Sequence, residues 1–279
     1  MITIVAPAKI NLFLRICGKI EAGYHLLDSA IIFTRFGDHM TIESANDDQL
    51  AITGEFAGGL DSTDDNLVMI ALKGFRAAGG VIRGLSITLE KNIPVGAGLG
   101  GGSADAAALL RAVNTLSTTP LGSDALNRLA ARLGADVPVC LAGGCQRIAG
   151  TGETMTPIDL DFAGSILLVN PQIPLSTKDV FTRFAGPKRG FAGSLSHLDA
   201  AGMVGLGNDL TATAIELAPA INNCLGRLAI SKGAIASAMS GSGASCFALF
   251  DHIDNAEIAA AEFENAGYWA RASMIYQPD

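Results

Sequence analysis

The chain has 279 residues, 49% of them hydrophobic and only 6% aromatic. That length holds one large or two ordinary domains, with cores built from Ala, Leu, Ile and Val rather than from rings. The formal net charge of −8 argues against general binding to nucleic acid or to an anionic membrane. It does not exclude an anionic small substrate, because a local lysine or a helix end can outweigh the global field.

Residues 2–16 read as a strand, a break at Pro7 and a second strand. Lys9 and Asn11 share one face of the second strand among Ile10, Leu12 and Leu14. They are either a binding pair or the protective lysine of an edge strand and its neighbour. No basic leader precedes this apolar run and Lys9 interrupts it, so it is not a signal peptide. No apolar run reaches membrane-spanning length, so no membrane partner is expected. The turn at 18–25 presents Tyr24 and His25 together. They can stack on and hydrogen-bond a flat heterocycle, or simply pack.

Short β-like patterns follow at 30–36, 40–44 and 49–55. Asn66 is placed to cap a helix carrying Leu67, Ile70, Ala71 and Phe75; its other reading is a nucleotide contact. Gly79 and Gly80 end that helix. LSITLE (85–90) alternates apolar and polar residues, the period of a half-buried strand.

Next comes the most informative stretch, PVGAGLGGGSADAA, residues 94–107. Gly96, Gly98, Gly100, Gly101 and Gly102 fall within seven positions. Leu109, Ala112, Val113 and Leu116 then mark one face of a helix. Strand, glycine loop and helix N-terminus in that order make a phosphate site: the backbone can approach closely, and the first helical turn offers free N–H groups and a positive dipole end. A merely flexible loop with Ser103 as helix N-cap is the alternative. The loop lacks the Gly-Lys-Ser/Thr of a Walker A sequence. Gly96, Gly98 and Gly101 satisfy a dinucleotide pattern, but the strand before them is amphipathic and no second strand ending in an acid follows at the required distance.

A helix is expected over 123–134, and Asp136 stands in GADVP just beyond it. It either caps the next helical turn or serves as a base in a buried loop. Composition shifts near residue 157. SILLVN (165–170) reads as a buried strand, and 185–207 as a mobile insertion. Asn208 or Asp209 can start a helix running to about 225. SGSGAS (240–245) is a second glycine loop, leading into a strand. A helix over 254–266 and a last strand over 271–276 complete the chain. The five cysteines (Cys17, Cys140, Cys145, Cys224, Cys246) and four histidines show no CxxC or HExxH spacing, so reduced thiols in a cytoplasmic protein are expected rather than disulfides or zinc.

PAKINL near the start, PVGAGLGGGSADAA in the middle and SGSGAS near the end resemble, in order and spacing, the motifs of the GHMP small-molecule kinases. GYH (23–25) and GADVP (134–138) fit as well, and the resemblance covers nearly the whole chain. Within the superfamily the chain is similar to the kinases of the non-mevalonate isoprenoid route, which act on a methylerythritol bearing a cytidine diphosphate. The resemblance implies an α+β fold in two domains, with largely antiparallel sheets and a cleft between the domains. The ATP-binding domain would span 1–157, joined by the last strand at 270–279, and the substrate domain 158–269.

It also implies residue roles. Asp136 would take the hydroxyl proton, and Lys9 would stabilise the developing charge and keep Asp136 ionised. ATP would lie against Pro94, Val95, Gly96, Ala97, Gly98, Leu99, Gly100, Gly101, Gly102, Ser103 and Ala104, with Asn66 nearby. Asn11, Thr177, Gly241, Ser242 and Gly243 would hold the substrate; Tyr24, His25 and Phe181 would recognise cytosine. Magnesium is expected with ATP, with Ser103 or Asp105 as residues that could reach it. Ile20 and Ala22 stand where the family usually has Arg and Asp.

Overall fold

A computed structural model describes residues 1–20, 25–63, 65–160, 162 and 164–276. Its elements are α and β mixed, and the strand pairings among the described residues are mostly antiparallel. Two strands near the start are longer than the sequence suggests. β1 (Ile2–Lys19) runs straight through Pro7. Among the described residues β2 is its only strand partner, and such an edge position is where proline is tolerated. β2 (His25–Ser44) unites the segments expected at 30–36 and 40–44. The chain divides into two compact units, and both strands contribute to each.

The first unit comprises Met1–Ala8, Gly37–Val95 and Gly100–Ala142. β4 (Leu85–Glu90) lies antiparallel to the end of β2, with Met40 opposite Leu89 and Ile42 opposite Ile87. On its other side β3 (Gln49–Thr53) runs parallel to it. Leu85, Ile87 and Leu89 are buried, as the period of two requires. Four helices complete the unit: α1 (Leu67–Ala77), α2 (Gly101–Leu116), α3 (Ser123–Leu133) and α4 (Val137–Ala142). Asn66 does cap α1, its Oδ1 accepting from the Val68 N–H at 2.9 Å. α2 is buried continuously from Ala104 to Leu110 and packs against α1 and α4. Small alanines let neighbours approach that closely. Leu116, expected on the apolar face, is instead 45% exposed at the helix end.

The second unit comprises Lys9–Phe36, Gly96–Leu99 and the chain from Gly143 onward. β5 (Gln146–Gly150) pairs with the start of β2 and with β6 (Thr154–Pro157). β10 (Trp269–Tyr276) lies between β2 and β7 (Ser165–Asn170). Then come β9 (Cys246–Phe250) and β8 (Ala234–Met239). β7 is apolar without alternation because every one of its residues is buried. Leu167, Val169, Cys246 and Phe250 form a core with Phe263 of α9 (Ile253–Asn265), Ile221 and Leu228 of α8 (Ala220–Ala229), and Leu14 and Ile16 of β1. The helix expected from 208 to 225 is two: Pro219 separates α7 (Thr211–Leu217) from α8. α5 (Thr177–Arg183) precedes them.

The stretch 185–207 is not the loose insertion its composition suggests. It contains α6 (Ala200–Val204), and Ala192, Leu195 and Met203 are buried. Asp28, fully buried, accepts from Arg147 Nε at 2.8 Å, from Arg147 Nη2 at 2.9 Å and from the Ala192 N–H at 2.6 Å. Arg147 also donates to the Ala192 and Gly193 carbonyls. Further along, Asp209 accepts from the Ile16 N–H and pairs with Arg189 at 2.8 Å. One buried carboxylate thus fastens the segment to β2 and β5. Removing it takes the carboxylate acceptor from the partly exposed Arg147 and from the Ala192 N–H, a loss of about 1–3 kcal/mol. Asp28→Ala is expected to lower the thermal midpoint and to speed tryptic cleavage at Lys188 and Arg189. Cleavage at the wild-type rate would show that the segment is held by other contacts.

Candidate active site

Several of the expected site residues converge within the second unit. Lys9 and Asn11 are both buried on β1, and Lys9 Nζ donates to Asn11 Oδ1 at 3.1 Å. Asn11 Nδ2 donates to Ser29 Oγ on β2 at 2.8 Å, and the Asn11 N–H donates to Ser240 Oγ at 3.2 Å. Ser240 in turn donates to the Gly98 carbonyl at 3.1 Å. Two more loop carbonyls are held from the same unit: Ala97 O accepts from the Ser245 N–H and Leu99 O from the Lys9 N–H. The first part of the glycine loop is therefore tied directly to Lys9, Asn11 and the SGSGAS turn. Gly98 has φ +75°, and a Cβ there would sit 2.5 Å from Ser240 O. Only glycine fits that seam.

The same turn reaches α5. Ser242 Oγ lies 2.9 Å from Thr177 Oγ1. Gly241 and Gly243 flank Ser242, both with positive φ. On the far end of α5, the Phe181 ring is 5.4 Å from the His25 ring, and Phe184 meets His25 edge-on at 6.2 Å. Burial, then the charge of Lys19, hold the His25 pKa below the ordinary imidazole range. A neutral imidazole keeps one acceptor and one donor nitrogen for a partner. Tyr24 lies outside the described residues.

In the first unit, the loop passes Pro94 and Val95 and resumes at Gly100, whose φ of +66° turns the chain into α2. The helix begins at Gly101, three residues earlier than a Ser103 cap would put it, so Ser103 and Ala104 lie in its first turn. The first helical bond runs from Ala104 N–H to Gly100 O, which leaves the N–H groups of Gly101, Gly102 and Ser103 without helical partners. Asn66 serves its helix: besides the Val68 bond, its Nδ2 donates to Asp61 O. Asp136 stands half-buried immediately before α4, and its carbonyl accepts from the Cys140 N–H. Arg111 of α2 donates to the Cys140 carbonyl at 2.6 Å and fixes the other end of that short helix.

One cluster escapes sequence reading. Lys91, 3% exposed, donates to Asp38 and, at 2.6 Å, to Asp105 Oδ2. Asp38 also accepts from the Asn92 and Ile93 N–H groups. Lys91 thus clamps the residues entering the loop to the second turn of the helix leaving it. Asp38 and Lys91 are far apart in the chain, and neither lies in a motif. Burial works to lower the Lys91 pKa, but Asp105 and Asp38 more than reverse that and hold it above the usual lysine range. Burial pushes the Asp105 pKa up to about 8; Lys91 opposes this and Asp38 adds to it. Asp105 Oδ2 is taken by Lys91, while its Oδ1 is buried without a hydrogen-bond partner. Among the described residues no group of three His, Cys, Asp or Glu is placed to hold a metal ion.

Comparison with known proteins places the chain in a family. The GHMP kinases N terminal domain family matches residues 66–144, and the GHMP kinases C terminal family matches 192–268. The chain belongs to the GHMP kinases. It is 41% identical to a protein of Parvibaculum lavamentivorans named 4-diphosphocytidyl-2-C-methyl-D-erythritol kinase, over 98% of this chain and 97% of that protein. A protein of the same name from Paracoccus denitrificans is 44% identical over 97% of this chain and 95% of its own. The crystal structure of a 4-(cytidine 5'-diphospho)-2C-methyl-D-erythritol kinase superposes with a TM-score of 0.84 at 30% identity, covering 99% of this chain and all of that one.

Two outcomes are expected for this GHMP kinase. Gly98→Ala forces a Cβ onto Ser240 O, so the loop must shift: KM for ATP should rise about tenfold or more while the protein still folds. An unchanged KM would show that the seam can open at no cost. The second concerns Asp105, whose pKa is higher folded than unfolded. Its stabilising contribution is complete below about pH 4, shrinks as pH rises, and is lost above about 8. The thermal midpoint should therefore fall between pH 6 and 8.5, and Asp105→Asn should flatten that fall. Parallel pH profiles would remove the buried carboxyl from the account.

Proposed function

We propose that the protein transfers the γ-phosphoryl group of ATP to a hydroxyl of 4-diphosphocytidyl-2-C-methyl-D-erythritol, giving the 2-phosphate, a step of non-mevalonate isoprenoid precursor biosynthesis. Near full-length similarity to curated relatives of that name carries the reading. The His25–Phe181 pair supports it, because a cytosine offers both a face to stack and an edge to hydrogen-bond. In this reaction the Asp136 carboxylate takes the proton from the acceptor hydroxyl. The hydroxyl oxygen forms a bond to the γ-phosphorus as the bond to the β-phosphate bridge breaks, and ADP leaves. Lys9 offsets charge on the phosphoryl oxygens, and Asn11, already oriented by Ser29, holds the acceptor alcohol. The helix N-terminus at Gly101–Ser103 receives the phosphates of MgATP. Phosphoryl transfer needs little beyond such positioning and charge stabilisation. Thr177 and the Gly241–Gly243 turn close around the substrate, with Tyr24 on the cytosine. We place the enzyme in the cytoplasm, where ATP is supplied and its five free thiols stay reduced.

The test is ADP release from ATP with 4-diphosphocytidyl-2-C-methyl-D-erythritol, beside homoserine and mevalonate as controls. Release with the cytidyl compound alone is the expected result; release only with a control would reassign the substrate. Asp136→Ala should bind ATP as before and lose at least about a thousandfold in turnover, in the range expected when a general base is removed. Near-normal turnover would take Asp136 out of the reaction.

A further inference from the structure

In a chain with net charge −8, residues 1–20 contain no acid and three cations: Lys9, Arg15 and Lys19. All three occupy odd positions of β1, and the two-residue period of a strand puts them on one face. The opposite face sends Leu14 and Ile16 into the core. The cationic face is the one that carries Asn11, whose amide meets Ser29 on β2. Ser29 shares its own strand face with His25, four residues away along β2. Lys19 is near enough to His25 to depress its pKa.

Arg15 stands on this face between the two ends. At about 3.3 Å per residue, it is about 13 Å beyond Asn11 in the direction of Lys19. Its Nε is buried and has no hydrogen-bond partner. None of the ion pairs among the described residues involves it, whereas Arg147 and Arg189 each face an aspartate. A buried guanidinium N–H without an acceptor is costly unless a ligand supplies one. The matching acceptor for its planar donors is a carboxylate or phosphate.

We propose that Arg15 binds the diphosphate of the substrate. The assignment rests on the reading of that substrate as a cytidine-diphosphate-linked alcohol. In it the diphosphate joins the alcohol, placed at Lys9 and Asn11, to the cytidine, placed at His25 and Phe181. Arg15 lies along β1 between those two positions, and Lys19 adds a second cation toward the cytidine end. The residue is a specificity determinant that selects the charged linker and takes no part in proton or phosphoryl transfer.

Calorimetric titration of the full-length protein, saturated with a non-hydrolysable ATP analogue, tests this with cytidine and CDP as probes. The wild type should bind CDP at least about tenfold more tightly than cytidine, one charge-assisted contact's worth. In Arg15→Met that preference should collapse toward one with cytidine affinity retained, which also shows that the variant is folded. Arg15→Lys should keep part of the preference. In turnover, Arg15→Met should raise KM for the cytidyl substrate about tenfold with kcat and KM for ATP nearly unchanged. An undiminished CDP preference in Arg15→Met would overturn the assignment while leaving the substrate class standing. Failure of the wild type to bind cytidine or CDP at all would overturn the substrate class and this assignment with it.

Discussion

The hydroxyl of Ser240 is the contact on which the glycine loop depends. It accepts from the Asn11 backbone and donates to the Gly98 carbonyl, so one oxygen joins the first strand, the late glycine turn and the glycine-rich loop. The Ala97 and Leu99 carbonyls are fixed from the same side. A loop with glycines at five of seven positions would otherwise sample many shapes, and that entropy would be lost again whenever a ligand bound. Hydrogen bonds to three successive carbonyls, two from backbone N–H groups and one from the Ser240 hydroxyl, settle the shape in advance.

Beyond the loop, the same problem is solved with buried charge. Lys91 between Asp38 and Asp105 holds the residues before Pro94 against the helix that begins at Gly101. A lysine facing two buried carboxylates leaves one negative charge in excess, and the raised pKa of Asp105 relieves it by favouring the neutral acid. Other cations of this acidic chain are compensated one by one. Arg147 is matched by Asp28, Arg189 by Asp209 and Arg76 by Asp48.

Much of this was legible in the order of residues. The alternation of LSITLE, the Asn66 cap and the unbroken apolar run of SILLVN each translate into the observed element because their cause is local. Three stretches depart from their sequence pattern. Pro7 does not break β1, since an edge strand can spare its N–H. Residues 185–207 look loose from their glycines and serines, yet they are held by Asp28, more than 150 residues away. The helix expected to 225 is divided by Pro219, which lacks the N–H that a continuous helix needs.

For the site the division is similar. The sequence by itself determined the parts: a glycine-rich turn before a helix, a lysine and an amide two residues apart on one strand face, an imidazole at a turn, and motifs whose spacing matches a kinase family. These are short-range patterns, and short range is what period, φ preference and helix capping govern. Only the tertiary structure decided which side chains join them. Ser240 meets Asn11 across 229 residues, Lys91 meets Asp38 across 53, and Phe181 reaches His25 from a helix the turn does not announce. Hydrogen bonds and ring contacts between distant segments depend on how sheets and helices pack, and packing is a property of the whole chain.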